Sequence, residues 1–353
     1  MFAYTGTYAL RLLRAIRCGY LAHALDDLPR EDLCTPPTCG YLPELHEFGE
    51  AAAPAEGERI AIASPAVQRR PRIQGASCEL ISVDLPEGAF VRAARDVLVA
   101  GPELLFVRLA RELEFRELVA LGCELCGSYS PDPLGASEEG SGCAYQIKPA
   151  TTPAAIKAFI AAVPSMHGVS RARQAAEYVL SGSASPMETM LALQLSLPVA
   201  RGGYGLGAPV LNELQDVPAS QQALTNMRHF APDIFYPEYA LDVEYESNEA
   251  HIFARGMSGI GPKTRREIVA KVNNDKRRMR DIQALGIRVM QVTYDDCLSI
   301  ESLDRIARQI YQHIAQVRGL RYSNLSRRLG GLSDASYRWS QASMLLPTKR
   351  RSR

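Results

Sequence analysis

Apolar residues recur with two different periods in the first half of the chain. Residues 7 to 26 are predicted to form a helix, because four apolar side chains recur at the spacing of one helix face: Leu10, Leu13, Ile16 and Leu21. Three short apolar runs, IAIAS, CELISVDL and RDVLVA, then have the length of strands. Pro102 is expected to open a helix that Gly122 closes. The pattern predicts an N-terminal helix and irregular linker over 1–57, then a small α/β or α+β domain over 58–165.

A second set of periodic segments falls within residues 166–320. The segment 241–246 alternates apolar and acidic residues, which is the period of a strand. A long helix is expected over 263–285, a buried strand over 288–294 and an amphipathic helix over 303–317. These elements predict a second α/β domain over 166–320.

Length and charge are consistent with that division. A chain of 353 residues is long for one core, and 46% hydrophobic and 22% charged residues are ordinary for a globular protein. Arginines interrupt the apolar residues near the N-terminus, so no membrane span or membrane partner is expected and a cytoplasmic location is predicted. Residues 321–353 hold eight Lys or Arg and one Asp, which predicts a basic, poorly ordered tail.

The eight cysteines are too scattered to predict a disulfide framework. Cys123 and Cys126 form a C-x-x-C motif and Cys143 lies nearby, but no second pair completes a recognisable zinc-ligand spacing. Reduced thiols are therefore favoured over structural zinc.

The candidate chemistry lies on the predicted acidic strand. Three carboxylates would line one face of that strand: Asp242, Glu244 and Glu246. Like charges repel at a cost that grows as water is excluded, so this face is either solvated or holds a cation. With Asp233 upstream and Glu188 further back, the set suits a hard ion such as Mg²⁺ or Mn²⁺. Glu188 also fits a helix capping box that starts at Ser185.

Positive charge clusters on the helix predicted after the acidic strand. Six basic residues are candidate contacts to a DNA backbone: Lys263, Arg265, Lys271, Lys276, Arg277 and Arg278. The alternative is a solvated charged face. Asp275 falls on the apolar stripe of this helix and would need a partner there. The glycine-rich segment 202–209 predicts a tight turn before a strand, because no Lys-Ser/Thr follows as in a phosphate-binding loop.

This region resembles the PD-(D/E)xK nuclease superfamily, and within it the very-short-patch-repair-like endonuclease domains of bacteria. The resemblance covers roughly residues 185 to 317. It is carried by Pro232-Asp233, the strand DVEYES from Asp242, His251, and Asp275 with Arg277 and Arg278 ahead of LGIRVMQVT. The segments SPMET and GGYGL are also similar to the lead-in of such domains. Glu246 stands where the family usually has Lys. The preceding domain is weakly similar, over 90 to 127, to abortive-infection-type antitoxins.

The resemblance implies a restriction-endonuclease-like core, in which a mixed central sheet is flanked by helices. It also implies a metal-dependent DNA endonuclease, in bacterial defence or DNA repair. Asp233 and Glu244 would hold Mg²⁺, and Glu246 would orient or deprotonate the attacking water or hold a second ion. His251 would protonate the leaving oxygen or contact the phosphate, and Glu188 is a further candidate. The alternatives are a catalytically inactive, nuclease-fold DNA-binding regulator or antitoxin-like protein, and an interaction module with a structural cation. A serine hydrolase is disfavoured, because no histidine follows a G-x-S-x-G motif.

Overall fold

The structure is a computed structural model that describes residues 1–36, 39–65, 72–135, 142–246, 262–321 and 335–345. Within these ranges, the side chains of residues 39, 262–269, 271 and 272 lie outside the description. The chain divides into two compact units, Met1–Ser185 (the N-terminal unit) and Pro186–Arg353 (the C-terminal unit). Both units are mixed α/β and contain mixed sheets flanked by helices.

The strands and helices of the N-terminal unit alternate irregularly along the chain. Its strands are β1 (Phe2–Thr5), β2 (Arg30–Glu31), β3 (Cys39–Tyr41), β4 (Ala61–Ser64), β5 (Arg72–Gln74), β6 (Ser77–Leu80), β7 (Phe90–Ala94), β8 (Val97–Ala100), β9 (Tyr129–Pro131) and β10 (Cys143–Tyr145). Its helices are α1 (Gly6–Arg17), α2 (Pro102–Leu109), α3 (Phe115–Leu125), α4 (Pro153–Ala162) and α5 (Val169–Ala176). Because α5 packs against α3, the division between the units follows Ser185, whereas the sequence predicted it after residue 165.

The main sheet of this unit has the order β2-β7-β8-β1-β4-β6. β1 pairs in parallel with β8 and antiparallel with β4, so the first strand of the chain lies inside the sheet. The predicted division of residues 1–57 into a helix and a linker omitted this strand. All four of its residues are buried, so it shows no alternation that would reveal a strand. The three predicted strand-sized runs are confirmed as β4, β6 and β8.

Helix α1 is shorter than the helix predicted over 7–26. It ends at Arg17, and Gly19 adopts the left-handed conformation with φ of 82°. The Gly19 and Tyr20 amides donate back to the Ile16 and Ala15 carbonyls, a pairing that closes the last turn. The glycine therefore ends the helix although the apolar spacing continues beyond it.

The helix predicted from Pro102 to Gly122 is two helices, α2 and α3. Glu114 and Glu117 form a capping box at the start of α3, and this local signal begins a new helix. Gly122 lies inside α3, where an added Cβ would come within 2.4 Å of the Val179 side chain. That glycine permits close packing and does not end a helix.

The C-terminal unit contains the acidic strand. Its strands are β11 (Val210–Leu211), β12 (Gln215–Asp216), β13 (His229–Phe230), β14 (Ile234–Tyr236), β15 (Leu241–Glu246) and β16 (Arg288–Thr293). Its helices are α6 (Pro186–Ser196), α7 (Pro262–Ala284), α8 (Tyr294–Cys297), α9 (Ile300–Val317) and α10 (Ala335–Ser343). The predicted acidic strand, the last strand and the amphipathic helix are confirmed as β15, β16 and α9.

The sheet of this unit has the order β11-β14-β15-β16. β14 and β15 are antiparallel neighbours, whereas β15 and β16 are parallel and α7 lies between them in sequence. Ile282 and Leu285 near the end of α7 pack with Val217 and Phe230 in a hydrophobic cluster. Asp275 is exposed, so the prediction that it lies on an inward-facing stripe and needs a partner there is wrong.

The glycine-rich segment forms the predicted turn before a strand. Gly202, Gly205 and Gly207 have positive φ angles, and the chain enters β11 a few residues later. Tyr204, between these glycines, is fully buried and donates its hydroxyl hydrogen to Asp304 Oδ1 at 2.6 Å. The turn therefore serves to insert an aromatic anchor into the core.

The tail predicted to be poorly ordered contains helix α10. Arg338 on this helix is 4% exposed and donates from both Nη atoms to the two carboxylate oxygens of Asp304 on α9. Burial alone would raise the pKa of Asp304, but the hydrogen bonds from Arg338 and Tyr204 hold it below its ordinary value. One of the basic residues of the predicted tail thus anchors α10 by an ion pair to α9.

Among the described helices, none is both long enough and apolar enough to cross a membrane.

Candidate active site

The β14–β15 hairpin brings Asp233 and Glu244 together. Ile234 pairs with Val243 and Phe235 with Asp242, so continuing the register places Asp233 beside Glu244. The Tyr245 amide donates to Asp233 Oδ2 at 2.9 Å and orients that carboxylate. The two residues predicted to hold a metal ion are therefore neighbours on adjacent strands.

The pKa of Asp233 is raised, as expected for a carboxylate among like charges. Burial raises its pKa first, and the charges of Glu244 and Glu188 raise it further, to about 7. Glu188 lies in the first turn of α6 and accepts a hydrogen bond from Asn212 Nδ2 at 2.8 Å. The structure thus places Glu188 within electrostatic reach of Asp233, as its assignment to the site requires.

Asp242 is the residue that sequence reasoning left out of the catalytic set. It is 0% exposed, and neither carboxylate oxygen accepts a hydrogen bond from any described residue. Burial and the neighbouring charge of Glu244 raise its pKa to about 9. Asp242 also lies close enough to Glu244 for a hydrogen bond between the two carboxyl groups, but that bond forms only when one of them is protonated. The alternation along β15 predicted the shared face, but only packing shows that this acid is sealed from water.

Arg278 on α7 forms an ion pair with the acidic cluster, which comprises Asp233, Asp242, Glu244 and the nearby Glu188. Its Nη1 and Nη2 donate to the two Glu244 oxygens at 2.8 Å each, and Nη2 also donates to the Ala231 carbonyl at 2.6 Å. The side chains of Glu244 and Arg278 are 13% and 32% exposed, so this bidentate pair is partly sheltered from water. The guanidinium predicted to contact DNA is thus bound within the chain.

The remaining predicted site residues lie at the end of β15, on the exposed side of α7 or outside the described residues. Glu246 is the half-buried last residue of β15, opposite Thr293 of β16. Lys276 and Arg277 are exposed on α7. His251 lies outside the described residues, and so do the side chains of three predicted DNA contacts: Lys263, Arg265 and Lys271.

The donor set has the chemistry of a hard-cation site. Asp233 and Glu244 offer carboxylate oxygens under mutual repulsion, and the buried Asp242 oxygens have no described donor. Among the described residues, no group of three or more Asp, Glu, His or Cys side chains is arranged to hold a metal ion. Mg²⁺ usually takes only one or two carboxylates and completes its shell with water and substrate phosphate. A carboxylate pair therefore fits Mg²⁺ in donor type and number.

Replacing Asp242 with Asn should stabilise the C-terminal unit in the absence of divalent ions. The change removes a buried carboxyl without a described donor and supplies an amide that can donate to Glu244, so we expect a gain of about 1–3 kcal/mol in the free energy of unfolding. Urea unfolding in EDTA measures it, with the exposed Asp275→Asn as the control. A loss of stability in Asp242→Asn would show that its carboxylate is well solvated or paired in solution.

The cysteine motif offers no comparable site. Cys123 and Cys126 are buried thiols, and burial raises the pKa of both, that of Cys123 to about 12. At neutral pH they are protonated, which disfavours nucleophilic chemistry.

Comparison of this sequence with protein-family models, with curated proteins and with solved structures finds no match in any of the three. What the chain does is therefore inferred from the geometry and charge of the acidic cluster.

Proposed function

We propose that the chain is a divalent-metal-dependent DNA endonuclease that hydrolyses phosphodiester bonds at the acidic cluster, on a restriction-endonuclease-like core built from β14, β15, β16 and α7. The observation that carries the proposal is the placement of Asp233 beside Glu244 on adjacent strands. Burial first, and then the charges of Glu244 and Glu188, raise the pKa of Asp233 to about 7. Carboxylates whose pKa values are raised by burial and by neighbouring like charges cluster at functional sites.

The acidic cluster is compatible with a phosphodiester substrate only if a cation lies between them. A phosphate would otherwise be repelled by Asp233, Glu244 and Glu188. When bound, the ion would polarise a phosphoryl oxygen and lower the pKa of the attacking water. In this proposal Asp233 and Glu244 hold the ion, with the Asp233 carboxylate kept in place by the Tyr245 amide.

Two residues of the chain would handle protons at this site. Glu246, at the end of β15, would orient or deprotonate the attacking water. His251, five residues further along the chain, would protonate the leaving oxygen or contact the scissile phosphate. The exposed Lys276 and Arg277 on α7 would contact the DNA backbone without reading its sequence.

One observation favours a second candidate, an inactive DNA-binding regulator on the same core. Both Glu244 oxygens accept hydrogen bonds from Arg278, and Glu246 replaces the Lys usual in the nuclease family that the chain resembles. If Arg278 never leaves Glu244, the cluster holds no ion and cuts nothing. This candidate predicts salt-sensitive DNA binding without cleavage.

Incubating the full chain with supercoiled plasmid and with short duplexes separates the two candidates. We expect nicking with Mg²⁺ or Mn²⁺ and none with EDTA. DNA binding without cutting, in every divalent ion tried, would favour the regulator. Neither binding nor cutting at low salt would contradict both.

A further inference from the structure

We propose that Arg278 is an internal cation that occupies Glu244 when no divalent ion is bound, and that binding of the ion displaces its guanidinium. The inference rests on the metal site of the proposed function and adds a competition built into that site. It assigns to Arg278 a role in controlling ion affinity, separate from contact with DNA.

The geometry shows that the guanidinium uses the same atoms an ion would need. Nη1 and Nη2 each donate to one Glu244 oxygen at 2.8 Å, so both oxygens are occupied by charge-assisted hydrogen bonds. Nη2 reaches the Ala231 carbonyl as well, at 2.6 Å, and Ala231 precedes Pro232 and Asp233 in sequence. One guanidinium thus links the lead-in to β14 with the middle of β15.

Charge explains why the guanidinium lies there. Asp233, Asp242 and Glu244 lie together, and Arg278 is the basic residue that a described ion pair joins to them. A guanidinium neutralises part of this charge without any bound ion. Because a divalent ion on Glu244 would stand within a few ångströms of that positive charge, the two cations repel and compete for the carboxylate.

Displacement would also free a group suited to the substrate. A guanidinium binds a phosphate with the same two-pronged geometry that it uses for a carboxylate. The Arg278 side chain is 32% exposed, so it can reach solvent and a bound backbone phosphate without unfolding of the helix. Ion and phosphate would then favour the same displaced state of Arg278.

Calorimetric titration of Mn²⁺ into the full chain tests the competition without measuring cleavage. Removing the charge in Arg278→Met should tighten Mn²⁺ binding by roughly tenfold or more, because the competing cation is gone. The matched control is Arg280→Met, which removes the same charge from a 74% exposed side chain two residues along α7 and should change the affinity less than about twofold. Arg278→Lys keeps the charge but loses the fork, and an intermediate affinity is expected.

The outcomes separate this inference from the proposed function. Measurable Mn²⁺ binding by the wild type with equal or weaker binding by Arg278→Met would overturn the competition and leave the metal site standing. No Mn²⁺ binding by the wild type or by any Arg278 variant would overturn both. If Arg278→Met fails to fold by circular dichroism, the Arg278→Lys affinity decides: a value no tighter than wild type contradicts the inference.

Discussion

Replacing Glu244 with Gln should reduce metal-dependent DNA cutting by two orders of magnitude or more, roughly to background. The amide keeps the shape of the side chain but removes the negative charge, and one of the two carboxylate oxygens, from the ligand pair with Asp233. Gln also offers only one acceptor oxygen, and an uncharged one, to the two Arg278 donors. We therefore expect the free energy of unfolding to fall by about 1–3 kcal/mol, which leaves the unit folded.

Plasmid nicking in Mg²⁺ and in Mn²⁺ measures this loss, and circular dichroism checks the fold. Glu238→Gln is the matched control, because it makes the same chemical change at an exposed residue of the same unit, between β14 and β15. Its cutting rate should stay within about twofold of wild type. Full activity in Glu244→Gln would show that Glu244 is not part of the active site. Equal loss of activity in both variants would point to a contaminating nuclease or to a general effect on folding.

Replacing Arg338 with Met should destabilise the C-terminal unit by about 2–3 kcal/mol, because the partly buried Asp304 carboxylate loses both hydrogen bonds from its charged partner. The Arg338 and Asp304 side chains are 5% and 15% exposed. Of the hydrogen bonds that described residues donate to Asp304, the one from Tyr204 would remain. Methionine fills much of the same volume, so lost packing should contribute little to the change.

Urea unfolding followed by tryptophan fluorescence suits this prediction, because the chain has one tryptophan, Trp339, next to Arg338. Arg305→Met, at an exposed position of α9, is the control and should change the free energy of unfolding by less than about 0.5 kcal/mol. A change below about 1 kcal/mol in Arg338→Met would show that the pair is solvated in solution and that α10 is held by other contacts.

Several elements could be predicted from sequence because their signals are local. The alternation from residue 241 to 246 placed Asp242 and Glu244 on one strand face, and β15 has that arrangement. The apolar spacing of α9 predicted its buried side in the same way. Where two local signals competed, the prediction was less complete: Gly19 ended α1 early, and the Glu114 capping box divided one predicted helix into two.

The identity of the acidic residues, their spacing and the strand that carries them were determined by sequence alone, because strand period is a property of the backbone. Tertiary structure decided which groups meet. It placed Arg278 on Glu244, 34 residues away in sequence, and sealed Asp242 from water. It also put β1 inside a sheet and paired Arg338 with Asp304. Contacts between distant segments and the exclusion of water both arise only when elements pack, so no local pattern could contain them.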